Sequence, residues 1–155
     1  MSNEIAATNL ETMRHIQKVQ HFLNRCAAAL IARGEDHDRS KLETPEAEMF
    51  AEYTSKLAGS TYGSPEYEGF RKAMGPALAH HYAHNRHHPE HWKDGVNDMN
   101  LLDVVEMLCD WRASSMRHND GNLRKSIEIN ANRFGLSPQL VRILENTVDF
   151  LEATQ

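Results

Sequence analysis

Three short signatures constrain this chain most: Thr44-Pro45-Glu46, Ser64-Pro65-Glu66 and Ser137-Pro138-Gln139. A hydroxyl at a helix N-cap satisfies amides that have no carbonyl partner. Proline at the first helical position costs nothing, since its missing N–H would be unpaired there. Each signature therefore marks a helix start. Gly34, Gly59 and Gly135 follow helical runs at C-cap positions. β-Branched residues are few and no alternating apolar–polar run is sustained, so strand signals are missing. The spacing predicts an all-α fold, a single helical bundle of about six helices over 3–33, 45–58, 65–87, 100–117, 120–134 and 138–153. Any interruption of the third is expected at Gly75-Pro76, where proline removes a donor and clashes with the preceding turn.

The chain has 155 residues, which one hydrophobic core can serve, so 1–155 is expected to form a single domain. A net charge of −5 excludes a general basic surface for nucleic-acid backbone. The longest apolar run, Cys26 to Ala32, is far short of a membrane span. The start Met-Ser-Asn-Glu-Ile lacks the basic and apolar stretches of a signal peptide, so a cytoplasmic location is expected. Cys26 and Cys109 both sit in apolar helical patterns and read as buried free thiols rather than a disulfide. Tyr53, Tyr62 and Tyr67, expected to be exposed, could line a partner surface, including one for a homo-oligomer, or a base pocket.

In the first helix, Ile16, Val19, Phe22, Leu23, Cys26, Ala27 and Leu30 fall within roughly 140° of arc at 100° per residue. His15 lies inside that arc near its edge, whereas His21 lies on the other side near Lys18 and Arg25. His15 is therefore expected to point inward and His21 to be solvated.

Six of the ten histidines lie in thirteen positions, His80-His81-Tyr82-Ala83-His84-Asn85-Arg86-His87-His88-Pro89-Glu90-His91-Trp92. Imidazole is the commonest protein metal ligand, so metal or phosphate contact is the first hypothesis. His81, His84 and His88 share one helical face, and His80, His84, His87 and His91 another. A helix can present two or three inward, not all six, and a solvated His-rich surface is the competing reading for any one of them. Upstream, the imidazole and carboxylate of His37-Asp38 can meet one ion if the backbone turns, with Lys41 nearby as a cation for a phosphate oxygen. Those residues could equally be a polar loop in which Asp38 or Ser40 caps the next helix. Downstream, Asp103, Glu106 and Asp110 share a face at i, i+3 and i+7. Taken alone, that is the solvated side of an amphipathic helix; facing a cleft, it would offer Asp110 as a ligand.

The order His15, His37-Asp38, His cluster, Asp110 resembles the HD-domain superfamily of metal-dependent phosphohydrolases, which is all-α. His37 to Lys41 resembles its HD-x-x-K turn, and His87-His88-Pro89-Glu90 looks like the histidine pair of members that hold a second metal. Three motifs also resemble a narrower, uncharacterised HD-like family from bacteria and their phages: HDxSK at His37 to Lys41, NxHHPExW at Asn85 to Trp92, and EMxxDW at Glu106 to Trp111. The resemblance covers roughly residues 10–115.

It implies hydrolysis of a phosphoester of a nucleotide or related small molecule by metal-activated water. One or two divalent ions would be held by His15, His37, Asp38 and Asp110, with His81 and His88 for a second. His84, His87 and Glu106 are further candidates. Mixed His/carboxylate donors suit Mn, Fe, Co, Ni or Zn better than Mg, although Mg stays on the list. Lys41 and Arg86 are candidates to hold phosphate, Arg86 bidentately, and Glu90 to orient water or a ligand imidazole. The alternatives are a binding module on the same scaffold, sequestering a nucleotide or blocking a protein, and a purely structural helical protein. Substrate specificity is expected from loops such as 59–65 and 92–99.

Overall fold

A computed structural model of the chain describes residues 2–61, 63–117 and 121–153; Tyr62 lies outside them. It is all-α, and no strand occurs among the described residues. Among the described residues, seven α-helices run Ser2–Asp36 (α1), Glu46–Gly59 (α2), Pro65–Ala73 (α3), Gly75–His84 (α4), Leu101–Ser115 (α5), Leu123–Phe134 (α6) and Pro138–Glu152 (α7). Short 3₁₀ turns occupy Arg39–Leu42, Pro89–His91 and Gly95–Asp98. Among the described residues, no helix is long and apolar enough to cross a membrane.

Two of the three start signatures act as expected. Ser64 Oγ accepts the Tyr67 N–H at 3.1 Å, and Ser137 Oγ accepts the Leu140 N–H at 3.2 Å. The third is shifted: α2 begins at Glu46 with Pro45 in the cap position, and the Thr44 hydroxyl donates instead to Glu48 Oε1 at 2.9 Å. Gly135 closes α6 at φ +63°, a left-handed turn glycine adopts without strain. Gly34, expected as a stop, lies inside α1. The third expected helix is two helices, broken at Met74 just before Gly75-Pro76, and it ends at His84 rather than at residue 87.

The chain divides into two units, Met1–Asp36 and His37–Gln155. The first is the single helix α1. Its apolar arc is present but exposed, with Ile16, Val19, Phe22 and Leu23 all well over a third accessible. His15, expected to point inward, is exposed, as is His21. Periodicity decides which side chains share a face; burial needs a second element, and this unit contains none.

In the second unit, Met107, Leu108 and Trp111 of α5 pack with Leu123 and Ile127 of α6 and Leu144 and Val148 of α7. Removing such side chains from water stabilises by roughly 1.5–3 kcal/mol each. Trp111 also stacks nearly parallel on Phe134, centroids 6.5 Å apart. This packing fixes the register of α5 and so aims Glu106 and Asp110. On the other side, α2 packs against α3 and α4, with Met74 and Ala77 buried. Neither cysteine is buried as expected. At Cys109 the reason is direct, because its neighbours Leu108 and Trp111 take the core face of α5.

Candidate metal centre

The centre begins at Asp38. Its backbone is left-handed (φ 58°, ψ 15°), uncommon for a residue with a Cβ. The turn Arg39–Leu42 holds it there, with the Lys41 N–H donating to the Asp38 carbonyl at 2.9 Å. The turn places the Asp38 carboxylate among imidazoles from α4 and from the segment after it.

Two carboxylates orient those imidazoles from behind. His81 Nδ1 donates to Glu46 Oε2 at 2.9 Å, and Ser40 Oγ donates to the same oxygen at 3.0 Å. Glu106 Oε1 accepts from His37 Nδ1 at 3.0 Å and from His87 Nδ1 at 3.1 Å. With Nδ1 carrying the proton, a neutral imidazole leaves Nε2 as a bare lone pair. Two such lone pairs, those of His81 and His87, therefore face inward, the arrangement by which outer carboxylates fix ligand histidines; His37, whose proton Asp110 and Glu106 hold in place, offers a third once that proton leaves.

What they face is more electron density. His81 Nε2 stands 3.2 Å from Asp38 Oδ1, His87 Nε2 3.6 Å from the same oxygen, and His88 Nε2 2.9 Å from His81 Nε2. Asp38 Oδ1 and His87 Nε2 are both buried without a hydrogen-bond partner. Donors of one tetrahedral ion at about 2.1 Å stand roughly 3.4 Å apart, and these separations bracket that value. Asp38, His81, His87 and His88 thus form a group that could hold a metal ion, as do His37, His87 and Asp110.

The surroundings keep both carboxyl groups of the cluster ionised. Burial alone would raise the Asp38 carboxyl, but His81, Lys41 and His37 hold it well below the usual carboxylate range. Burial likewise works against Asp110, and His37 outweighs it, so that carboxyl too is lowered. His37 is raised to about 10, chiefly by Asp110 and then by Glu106. His88 is pushed down to about 2, by burial first and then by His87 and His81.

Other expected residues stand elsewhere. His84 is exposed and donates to the His80 carbonyl at 2.8 Å, while His91 donates to that of Tyr82 at 2.8 Å. His80 reaches Glu46 Oε1 at 2.7 Å from the outside. Arg86, read as a phosphate fork, spends its fork on buried Asp103, at 2.6 and 3.2 Å, and lies over the Trp92 ring. Glu90 pairs with Arg133 at 2.5 Å rather than with a ligand imidazole. Lys41 lies at the site, its Nζ 2.5 Å from Asp38 Oδ2. His15 belongs to the other unit and to neither ligand group. The acidic face of α5, a solvated side on the sequence alone, has Asp103 buried and Glu106 on two imidazoles.

Glu46 escaped the sequence reading except as part of a helix start. An acidic residue in a first turn is unremarkable there, and nothing local marks it as the partner of imidazoles 34 and 35 positions away. Asn85, in the NxHHPExW motif, donates to Ser40 Oγ at 2.8 Å and so ties α4 to the Arg39–Leu42 turn. Cys109 gains no reactivity here: although the residue is exposed, partial desolvation of its thiol, Glu106 and Asp110 all push that thiol up, away from the nucleophilic thiolate.

A cavity of about 650 Å³ opens beside the group, lined at one end by His37, Asp38, Lys41, His81, His88 and Asp110. Apolar and aromatic side chains, among them Phe50, Tyr67, Met74 and Leu78, line it as well, and the Phe50 ring lies under Lys41 Nζ at 4.8 Å. Thr61 contributes from the expected specificity loop 59–65, whereas no residue of 92–99 does.

Residues 4–150 match a profile described as "Family of unknown function (DUF5662)". No curated protein and no solved structure matches the chain.

Proposed function

The chain belongs to this DUF5662 family, whose description assigns no activity, and from the site itself we propose a metal-dependent phosphohydrolase of HD type. It acts on a phosphoester of a nucleotide or related small molecule in the cytoplasm. One observation carries the reading. The Nε2 lone pairs of His81 and His87 converge with Asp38 Oδ1, and two of these three buried atoms lack a hydrogen-bond partner. Converging lone pairs repel unless a cation or added protons lie between them.

Asp38, His81, His87 and His88 would hold one divalent ion, and His37 with Asp110 would contribute to a second position. When bound, such an ion lowers the pKa of a coordinated water and offsets charge on phosphoryl oxygens. The other steps belong to the protein. Glu46 and Glu106 keep the Nδ1 protons of three imidazoles in place, so the ring orientations are set before a ligand arrives. Lys41 lines the cavity as a point charge for a phosphoryl oxygen. Phe50 and Tyr67, which also line the cavity, offer flat surfaces to a base or another apolar group.

The test is metal analysis of untagged protein, followed by phosphate release from a panel of nucleotides and cyclic dinucleotides. Stoichiometric metal with metal-dependent phosphate release is the expected result. Metal without turnover on any member would replace the hydrolase with a binding module. Protein that takes up no divalent ion at all would overturn the reading entirely.

A further inference from the structure

The two ligand groups are not equivalent. We propose that they fill in a fixed order, with Asp38, His81, His87 and His88 taking the first ion, and that Lys41 stands in for the second. The inference rests on the metal-binding part of the reading above and goes beyond it to order, affinity and ion class.

The first group is already assembled. Its donors are three imidazole nitrogens and one carboxylate oxygen, all within 4.8 Å of one another. Asp38 Oδ1 and His87 Nε2 are buried and bondless, so no partner has to be displaced from either. His81 is locked from behind by Glu46, and His87 by Glu106. Ordering and desolvating these side chains is complete before an ion arrives, which is what raises affinity.

The second group is short of donors. It shares His87 with the first. His87 has one inward lone pair, because its Nδ1 is spent on Glu106 3.1 Å away. Once the first ion takes that lone pair, the second position retains His37 Nε2 and the Asp110 carboxylate. The nearest remaining donor is Asp38 Oδ2, 3.5 Å from His37 Nε2, and that oxygen is occupied by Lys41 Nζ at 2.5 Å. A second ion must therefore displace an ammonium, whereas the first displaces only the proton that His81 Nε2 and His88 Nε2 share.

The two positions also differ in chemistry. Three imidazoles and one carboxylate select ions such as Zn²⁺, Co²⁺, Ni²⁺ or Fe²⁺. One imidazole with two carboxylates is a harder set, better matched to Mn²⁺ or Mg²⁺.

Co²⁺ titration of the metal-free, full-length protein, followed by calorimetry and by visible absorption, tests the order directly. Two steps of unequal affinity are expected. His88→Ala should remove the tighter step, and Asp110→Asn should weaken only the looser one. Lys41→Met should strengthen the looser step by about fivefold, the scale of a partly exposed ion pair lost, and change the tighter one, which binds through the other Asp38 oxygen, by less. Far-UV circular dichroism verifies that each variant is folded, and Lys41→Met gives a gain that misfolding would not mimic. Two equal steps, loss of the tight step in Asp110→Asn, or an unchanged loose step in Lys41→Met would each overturn the proposal. Absence of any Co²⁺ binding would overturn the metal-site reading as well. Ordered binding without phosphate release from any substrate would leave this inference standing and remove only the hydrolase.

Discussion

His81 Nε2 and His88 Nε2 face each other across 2.9 Å in the interior of the second unit. His81 donates its Nδ1 proton in a hydrogen bond to Glu46 Oε2, so in the metal-free chain a neutral His81 accepts at Nε2 and His88 supplies the single proton between the two nitrogens. Replacing that proton by a tetrahedral ion needs the two nitrogens to part only slightly, from 2.9 Å to roughly 3.4 Å. Asp38→Ala should therefore abolish bound metal and any hydrolysis while keeping the helical signal, since Asp38 packs in a turn and not in a core helix. Metal analysis together with circular dichroism checks this, and retained stoichiometric metal would rule out the site as drawn.

Glu106 should prove nearly as important as a ligand without touching the ion. One oxygen carries both His37 and His87, so Glu106→Ala releases two rings at once. Loss of an outer carboxylate of this kind lowers metal affinity by roughly 10–100-fold. Competition with a chromogenic chelator measures it, and Glu106→Gln, which can still accept from a ring N–H, should fall between wild type and Ala.

The metal-free chain should respond to pH through His37. Its folded pKa of about 10 lies above the ordinary 6.5, so its pairing with Asp110 and Glu106 stabilises the fold fully below 6.5. That contribution is lost as pH rises through 10. His37→Gln should accordingly lower the urea midpoint of metal-free protein at pH 6 and have little effect above pH 10, where the wild-type ring is neutral. An equal loss at both values would assign His37 a packing role instead.

Arg86 should behave as a structural residue. Arg86→Ala leaves the buried Asp103 carboxylate without its fork, although Asp103 Oδ2 still accepts the Asn100 N–H at 2.9 Å. The expected cost is roughly 1–3 kcal/mol in unfolding free energy, read as a lowered melting temperature, with metal stoichiometry unchanged. Loss of metal in a variant that remains folded would return Arg86 to the site.

Ile127 is fully buried between α5, α6 and α7, in the packing that sets the register of α5. Ile127→Ala should cost roughly 2–5 kcal/mol and should weaken metal binding as well, because α5 carries both Glu106 and Asp110. A destabilised variant with unaltered metal affinity would show that the site is held independently of this core.

The helices themselves were legible in the residues, because a cap, a Ser-Pro start or a glycine stop acts within one turn of chain. Ser64, Ser137 and Gly135 do what their local chemistry requires. His37, Asp38, His81, His88 and Asp110 could be named as candidates from motif order alone. Orientation could not, since it depends on packing between segments far apart in sequence. A helical wheel makes Glu106 and Asp110 a solvated face; the packing of α5 on α6 and α7 turns that face toward His37 and His87 instead. Glu46 became the partner of His81 only when α2 met α4, and Arg86 was drawn from phosphate to Asp103 by the same kind of distant pairing. Local sequence determined which side chains share a surface, whereas the tertiary structure decided what each surface meets, because burial and ion pairing are properties of two elements in contact and not of either one.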